Sequence, residues 1–171
     1  MQSGGTHGGH FTVNDHIFPL RNWKRWMWLP LPIVGSLYPL SRQMGISNQD
    51  VSGEKYRLLR SAFERAFYRH PPLVVASGHD HDLQVIRGGR SGITWAAYQL
   101  VSGAGILGHA SVVRDIEGSL FEREAAGFMR LDVTRDGRMR LSVTTVVPEG
   151  ERPVGESAEV FSLWLSDEEG L

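Results

Sequence analysis

The hydrophobic period of the chain changes at Pro71-Pro72, and no other feature limits its possible folds as much. From Ser52 onward Tyr56, Leu59, Phe63, Ala66 and Phe67 recur on one helical face, with Glu54 in the first turn, which predicts a helix over about 53–69. The paired prolines end it near His70, because each disfavours helical geometry in the residue before it and donates no backbone bond. Beyond them the period is two. Leu73-Val74-Val75-Ala76 reads as a short strand buried on both faces, and Leu83 to Arg87, Thr94 to Val101, Gly127 to Thr134 and Met139 to Val147 have strand composition. Asp136-Gly137 predicts a tight hairpin turn between the last two. Leu131 and Val133 then face the core with Met139, Leu141 and Val143, while Arg130, Asp132, Arg138, Arg140 and Ser142 face water.

Upstream of the helix the signals are weaker. Residues 1–22 are rich in Gly and His and predict an irregular loop. The stretch 23–40 is the most apolar of the chain, but Lys24, Arg25 and the prolines at 30, 32 and 39 rule out a spanning helix of about 20 residues. It is expected as a long aromatic loop packed on the domain, with a membrane-interface patch or a partner surface as the other readings. At the far end a Pro/Gly/Glu-rich linker covers 148–157. Val160 to Leu165 then has the composition of a last strand, and Asp167-Glu168-Glu169 that of a solvated tail.

With 171 residues, 41% hydrophobic, the chain is long enough for one globular core without disulfides. Eighteen basic residues against 19 acidic ones leave a formal charge of −1, without the basic excess that nucleic-acid binding needs, so a small molecule or a protein is the expected partner. The absence of cysteine removes thiol nucleophiles and Cys-type zinc sites, leaving histidines and carboxylates as the strong metal ligands.

Four of the seven histidines fall in two clusters, His7 with His10 and His79 with His81. Gly78-His79-Asp80-His81 follows directly on a predicted strand, where the loop at the carboxyl end of a sheet is a common place for a site. Histidines at i and i+2 can reach two metals about 3.5–4 Å apart, but each metal needs about four to six donors, so two imidazoles alone are not enough. Taken alone, a His-x-His is most simply a pair of partly exposed loop residues.

The segment Leu73 to Gln84, containing Gly78-His79-Asp80-His81, resembles the last motif of the calcineurin-like metallophosphoesterases. Ser3-Gly4-Gly5-Thr6-His7-Gly8-Gly9 is similar to the loop after that family's His-His-Pro element. Tyr98 to Gly105 is similar to its Ser-Gly-Ala-Gly strand and turn, and Gly127 to Leu131 to a later strand. The matches keep family order and cover most of 3–147. The resemblance implies that residues 1–147 are the C-terminal half of a β-rich α+β domain of αββα sandwich type. It implies that His79 binds one metal and His81 the other, that His7 lies in a loop near the substrate, and that two divalent ions (Fe, Mn or Zn) activate water to hydrolyse a small phosphoester. Asp80 could orient an imidazole, although a solvated loop carboxylate is the simpler expectation. The family's Asp-x-His, Gly-Asp and Gly-Asn-His motifs are missing, which implies an internal Met1, a chain inactive alone, and self-association through an uncovered sheet edge. The alternative is a non-catalytic β-rich scaffold or partner-binding module that uses 23–40 as its contact surface.

Overall fold

The computed structural model describes residues 3–5, 11, 13–22, 24, 26–44, 46, 53–88, 96–105, 110–146 and 156–165. Among the described residues three α-helices, α1 (Val13–Ile17), α2 (Pro32–Gln43) and α3 (Glu54–Phe67), precede seven strands. These are β1 (Val74–Ser77), β2 (Leu83–Arg87), β3 (Tyr98–Ser102), β4 (Ser119–Arg123), β5 (Gly127–Val133), β6 (Met139–Val146) and β7 (Ser157–Leu165). The strands form a four-stranded sheet in the order β1-β3-β2-β4 and a three-stranded sheet in the order β5-β6-β7. The protein is a β-rich α+β molecule.

Alternating side chains divide the core between two faces. Leu83 and Val85 of β2, with Tyr98 and Leu100 of β3, pack against Leu141 and Val143 of β6 and Leu165 of β7, joining the two sheets. Each fully buried Leu or Val there contributes roughly 1.5–3 kcal/mol of apolar burial. Ile86 and Ala96 occupy the opposite face, where Phe63 and Phe67 of α3 cover them with rings stacked 5.9 Å apart. The helical stripe predicted from sequence therefore packs through its two phenylalanines, while Leu59 and Ala66 stay exposed.

β1 corrects one expectation. It is an edge strand, parallel to β3 and only partly buried, because β2 returns antiparallel on the far side of β3 instead of beside β1. β4 has no counterpart in the sequence reading: Ser119-Leu120-Phe121-Glu122-Arg123 is too short and too polar to show a period, and pairing with β2 makes it a strand. β7 begins at Ser157, inside the stretch read as linker, because its register on β6 extends from Val146↔Ser157 to Met139↔Leu165. The acidic tail at 167–169 lies outside the described residues.

The β5–β6 hairpin closes as its turn signal predicts. The Thr134 N–H donates to the Arg138 carbonyl at 2.8 Å and the Gly137 N–H to the Thr134 carbonyl at 3.0 Å, with Gly137 at φ +86°. Hydrogen bonds from Thr134 and then Arg138 lower the pKa of Asp136 to about 2. Three residues depart from the expected pattern: Val133 and Leu131, on the core-facing side of β5, are 66% and 39% exposed toward the hairpin end, and Ser142, expected to face water, is buried because β5 and β7 flank β6 on both sides. Gly137→Ala should cost about 1 kcal/mol, read as a fall of roughly 3 °C in a thermal melt, since alanine resists that positive φ.

The N-terminal third differs most from expectation. Residues 13–22, read as loop, form α1 and a 3-10 turn (Pro19–Asn22), and the second half of the expected aromatic loop at 23–40 is α2. Pro32 sits in the first turn of α2, where a missing N–H costs nothing. Pro39 forgoes one interior bond but is buried beside Gly35 on the face turned to α1. A Cβ on Gly35 would lie 2.3 Å from the His16 carbonyl oxygen, so glycine allows the close crossing that holds the helix despite its proline.

Candidate functional site

The carboxyl end of β1 leads into the loop Gly78–Asp82. His79 takes φ +82°, the one positive φ at a non-glycine position among the described residues. Such a conformation is disfavoured for a side chain with a Cβ and persists where the surroundings impose it. Three segments do so here. The Gly103 N–H donates to the Asp82 carbonyl at 3.2 Å, the Ser111 N–H donates to the His81 carbonyl at 2.8 Å, and Ser3–Gly5 packs on the loop's carboxylates. His79 is exposed and His81 half-buried.

Behind the histidines lies a buried polar cluster. The Ser3 hydroxyl donates to Asp80 Oδ2 and accepts from the Gly5 N–H at 3.0 Å and from Gln84 Nε2 at 3.2 Å. Gln84 Nε2 also donates to Asp82 Oδ1 at 2.7 Å, while its Oε1 accepts from the Gly4 N–H at 2.8 Å. Ser3 and Gln84 thus use their polar atoms fully, as buried groups must. The exception is Asp82 Oδ2, which is buried without a hydrogen-bond partner. A Cβ on Gly5 would lie 2.9 Å from both Asp80 Cγ and Asp82 Oδ2, so the two carboxyls flank one point of the N-terminal backbone.

Electrostatics follow from this burial. Desolvation pushes Asp82 up to about 7; the neighbouring Asp80 charge adds to the shift, while the Gln84 hydrogen bond and His81 oppose it. The pKa of Tyr56 in α3 is raised by burial and then by the charge of Asp80. Asp80 is buried at the base of the loop, a correction to the solvated carboxylate expected from sequence. Its Oδ2 is taken up by Ser3.

The sequence reading passed over Ser3, Asp82 and Gln84 as site residues. Their signal was the spacing of Asp80, Asp82 and Gln84 at i, i+2 and i+4, which puts them on one face as the loop runs into β2. His7, His10 and His109 lie outside the described residues. His16 is in α1, its Nδ1 3.4 Å from Ser36 Oγ, and His70 is exposed beyond the end of α3.

Among the described residues no group of three or more His, Asp or Glu side chains is placed to hold a metal ion. His79 and His81 are therefore at most part of a metal site, with the donors of Asp80 and Asp82 tied at least in part to Ser3 and Gln84. No helix among the described residues is long and apolar enough to cross a membrane. Compared with protein-family models, with curated proteins and with solved structures, the chain matches none.

Proposed function

We infer that the chain is the C-terminal part of a metal-dependent phosphoesterase domain of αββα type, in which His79 and His81 supply two imidazoles to a dinuclear site completed by donors beyond the described residues. One observation carries the reading. Three of the segments whose sequences resemble the metallophosphoesterases are far apart in the chain, yet Ser3–Gly5, Gly78–Asp82 and Ser102-Gly103 meet around one loop. Such a convergence is expected if the segments serve one site, and the imposed φ of His79 lies at its centre. Metal ions bound there would polarise a phosphoryl oxygen and lower the pKa of a water. The chain's own contribution is to hold the two histidines on a braced loop. A non-catalytic module contacting a partner through 23–40 accounts for exposed Trp26 and Trp28 but gives no reason for this convergence.

Two measurements test the reading. Mn²⁺ or Zn²⁺ should raise the melting temperature of the chain, and the double change His79→Ala/His81→Ala should remove at least about nine-tenths of that rise. Hydrolysis of an aryl phosphate with added Mn²⁺ should stay at trace level. A metal response that survives loss of both histidines removes the metal-site reading, and robust turnover abolished by His81→Ala removes the partial-site reading.

A further inference from the structure

α2 is amphipathic in an inverted sense. Its buried face, Gly35 and Pro39, turns to α1, and Ile33, Leu37, Leu40 and Met44 recur at i, i+4, i+7 and i+11 on the opposite side. At about 100° per residue these four fall within an arc of roughly 60°. They are not covered: Ile33 is 82%, Leu37 63% and Met44 76% exposed. Trp26, Trp28 and Leu29, just before the helix, are exposed as well. So many exposed large apolar side chains within one short segment of a folded protein mark a contact site.

Charge identifies what it contacts. Between Asp15 and Asp50 the sequence contains no acidic residue and four cations, Arg21, Lys24, Arg25 and Arg42, in a chain whose formal charge is −1. Arg21 stacks on the Trp28 ring at 3.8 Å just before the helix and Lys24 is exposed in the same segment, while Arg42 donates to the Tyr38 hydroxyl at 2.9 Å on the flank away from the stripe. A second copy would bring the same positive segment against itself. An anionic lipid surface complements every element: acyl chains for the stripe, headgroup phosphates for the cations, and the interfacial zone for the indoles. At 12 residues α2 is about 18 Å long, against a hydrocarbon core of about 30 Å, so it can lie in the interface but cannot cross.

We propose that α2 and the tryptophans before it form a peripheral membrane-binding surface for anionic bilayers. The test is co-sedimentation of the full chain with phosphatidylcholine vesicles, with and without phosphatidylglycerol. Partition should be at least tenfold stronger on the anionic vesicles, and raising the salt from about 0.1 to about 0.5 M should weaken it about tenfold by screening the cations. Ile33→Asp/Leu37→Asp should lower partition at least tenfold with the melt unchanged, because both positions are exposed, and Lys24→Glu should lower it about tenfold. The salt series on the unaltered chain does not depend on the folding of any variant. Failure to bind anionic vesicles, equal binding to neutral ones, or salt-independent binding would overturn the proposal. So would a lipid-free dimer that Leu37→Asp converts to monomer, since the stripe would then be a contact between copies. Retention of a protein partner that Trp26→Ala releases, without vesicle binding, overturns it in favour of a protein-docking surface.

Discussion

Gly103→Ala should destabilise the protein by about 3 kcal/mol, a fall of roughly 10 °C in melting temperature for a chain of this length. A Cβ at this position would lie 2.0 Å from the carbonyl oxygen of Asp80, 2.9 Å from its carbonyl carbon and 3.1 Å from the His79 nitrogen. All three are backbone atoms of the loop that carries both histidines, so no side-chain rotation relieves the overlap. Either that loop shifts, which also breaks the 3.2 Å bond from the Gly103 N–H to Asp82, or β3 ends early. The control stands two residues on. Gly105 has nothing within 4 Å of a built Cβ, so Gly105→Ala should stay within about 0.5 kcal/mol of the parent. Thermal melts of the two variants check the expectation; equal effects would mean that the loop does not rest on Gly103.

Asp82 supplies the second large effect, a pH dependence of stability in the metal-free chain. Burial raises its pKa from 3.8 in the unfolded chain to about 7 in the fold, and the residue is 0% exposed. The native state therefore holds a proton that the unfolded state releases. This contribution is complete below about pH 4 and is lost as pH rises through about 7. At about 1.4 kcal/mol per pH unit over this interval the change is of order 4–5 kcal/mol. Asp82→Asn keeps the shape and the Oδ1 acceptor for Gln84 but removes the titration. Denaturant melts in the presence of a chelator should give the two proteins nearly equal stability near pH 4 and make the Asn variant the more stable by a few kcal/mol near pH 8. A difference that does not change with pH would show that Asp82 stays ionised in the fold.

The readable parts of the fold were those in which one stretch of chain carries its own period. α3 spans Glu54–Phe67 against the predicted 53–69, the β5–β6 hairpin turns at Asp136-Gly137, β2 matches its predicted run, and β3 overlaps the predicted 94–101 from Tyr98 on and ends one residue beyond it. The parts that differ depend on a neighbour. α2 was hidden by Pro32, which falls in its first turn, and by Pro39, whose cost is met by the crossing at Gly35, and β4 exists because β2 offers it an edge.

The same division runs through the candidate site. Sequence alone identifies the loop, since a Gly-His-x-His directly after an apolar strand is legible without coordinates, and it identifies the apolar, aromatic stretch 23–40. Only the tertiary structure brings Ser3 onto Asp80, 77 positions away in sequence, places Gly103 against the loop and leaves Asp82 Oδ2 buried without a partner. It alone turns the apolar stripe of α2 outward, because the inward face is set by where α1 crosses. Local spacing determines a residue's period and face, whereas burial, proton affinity and exposure depend on which distant segment comes to lie against it.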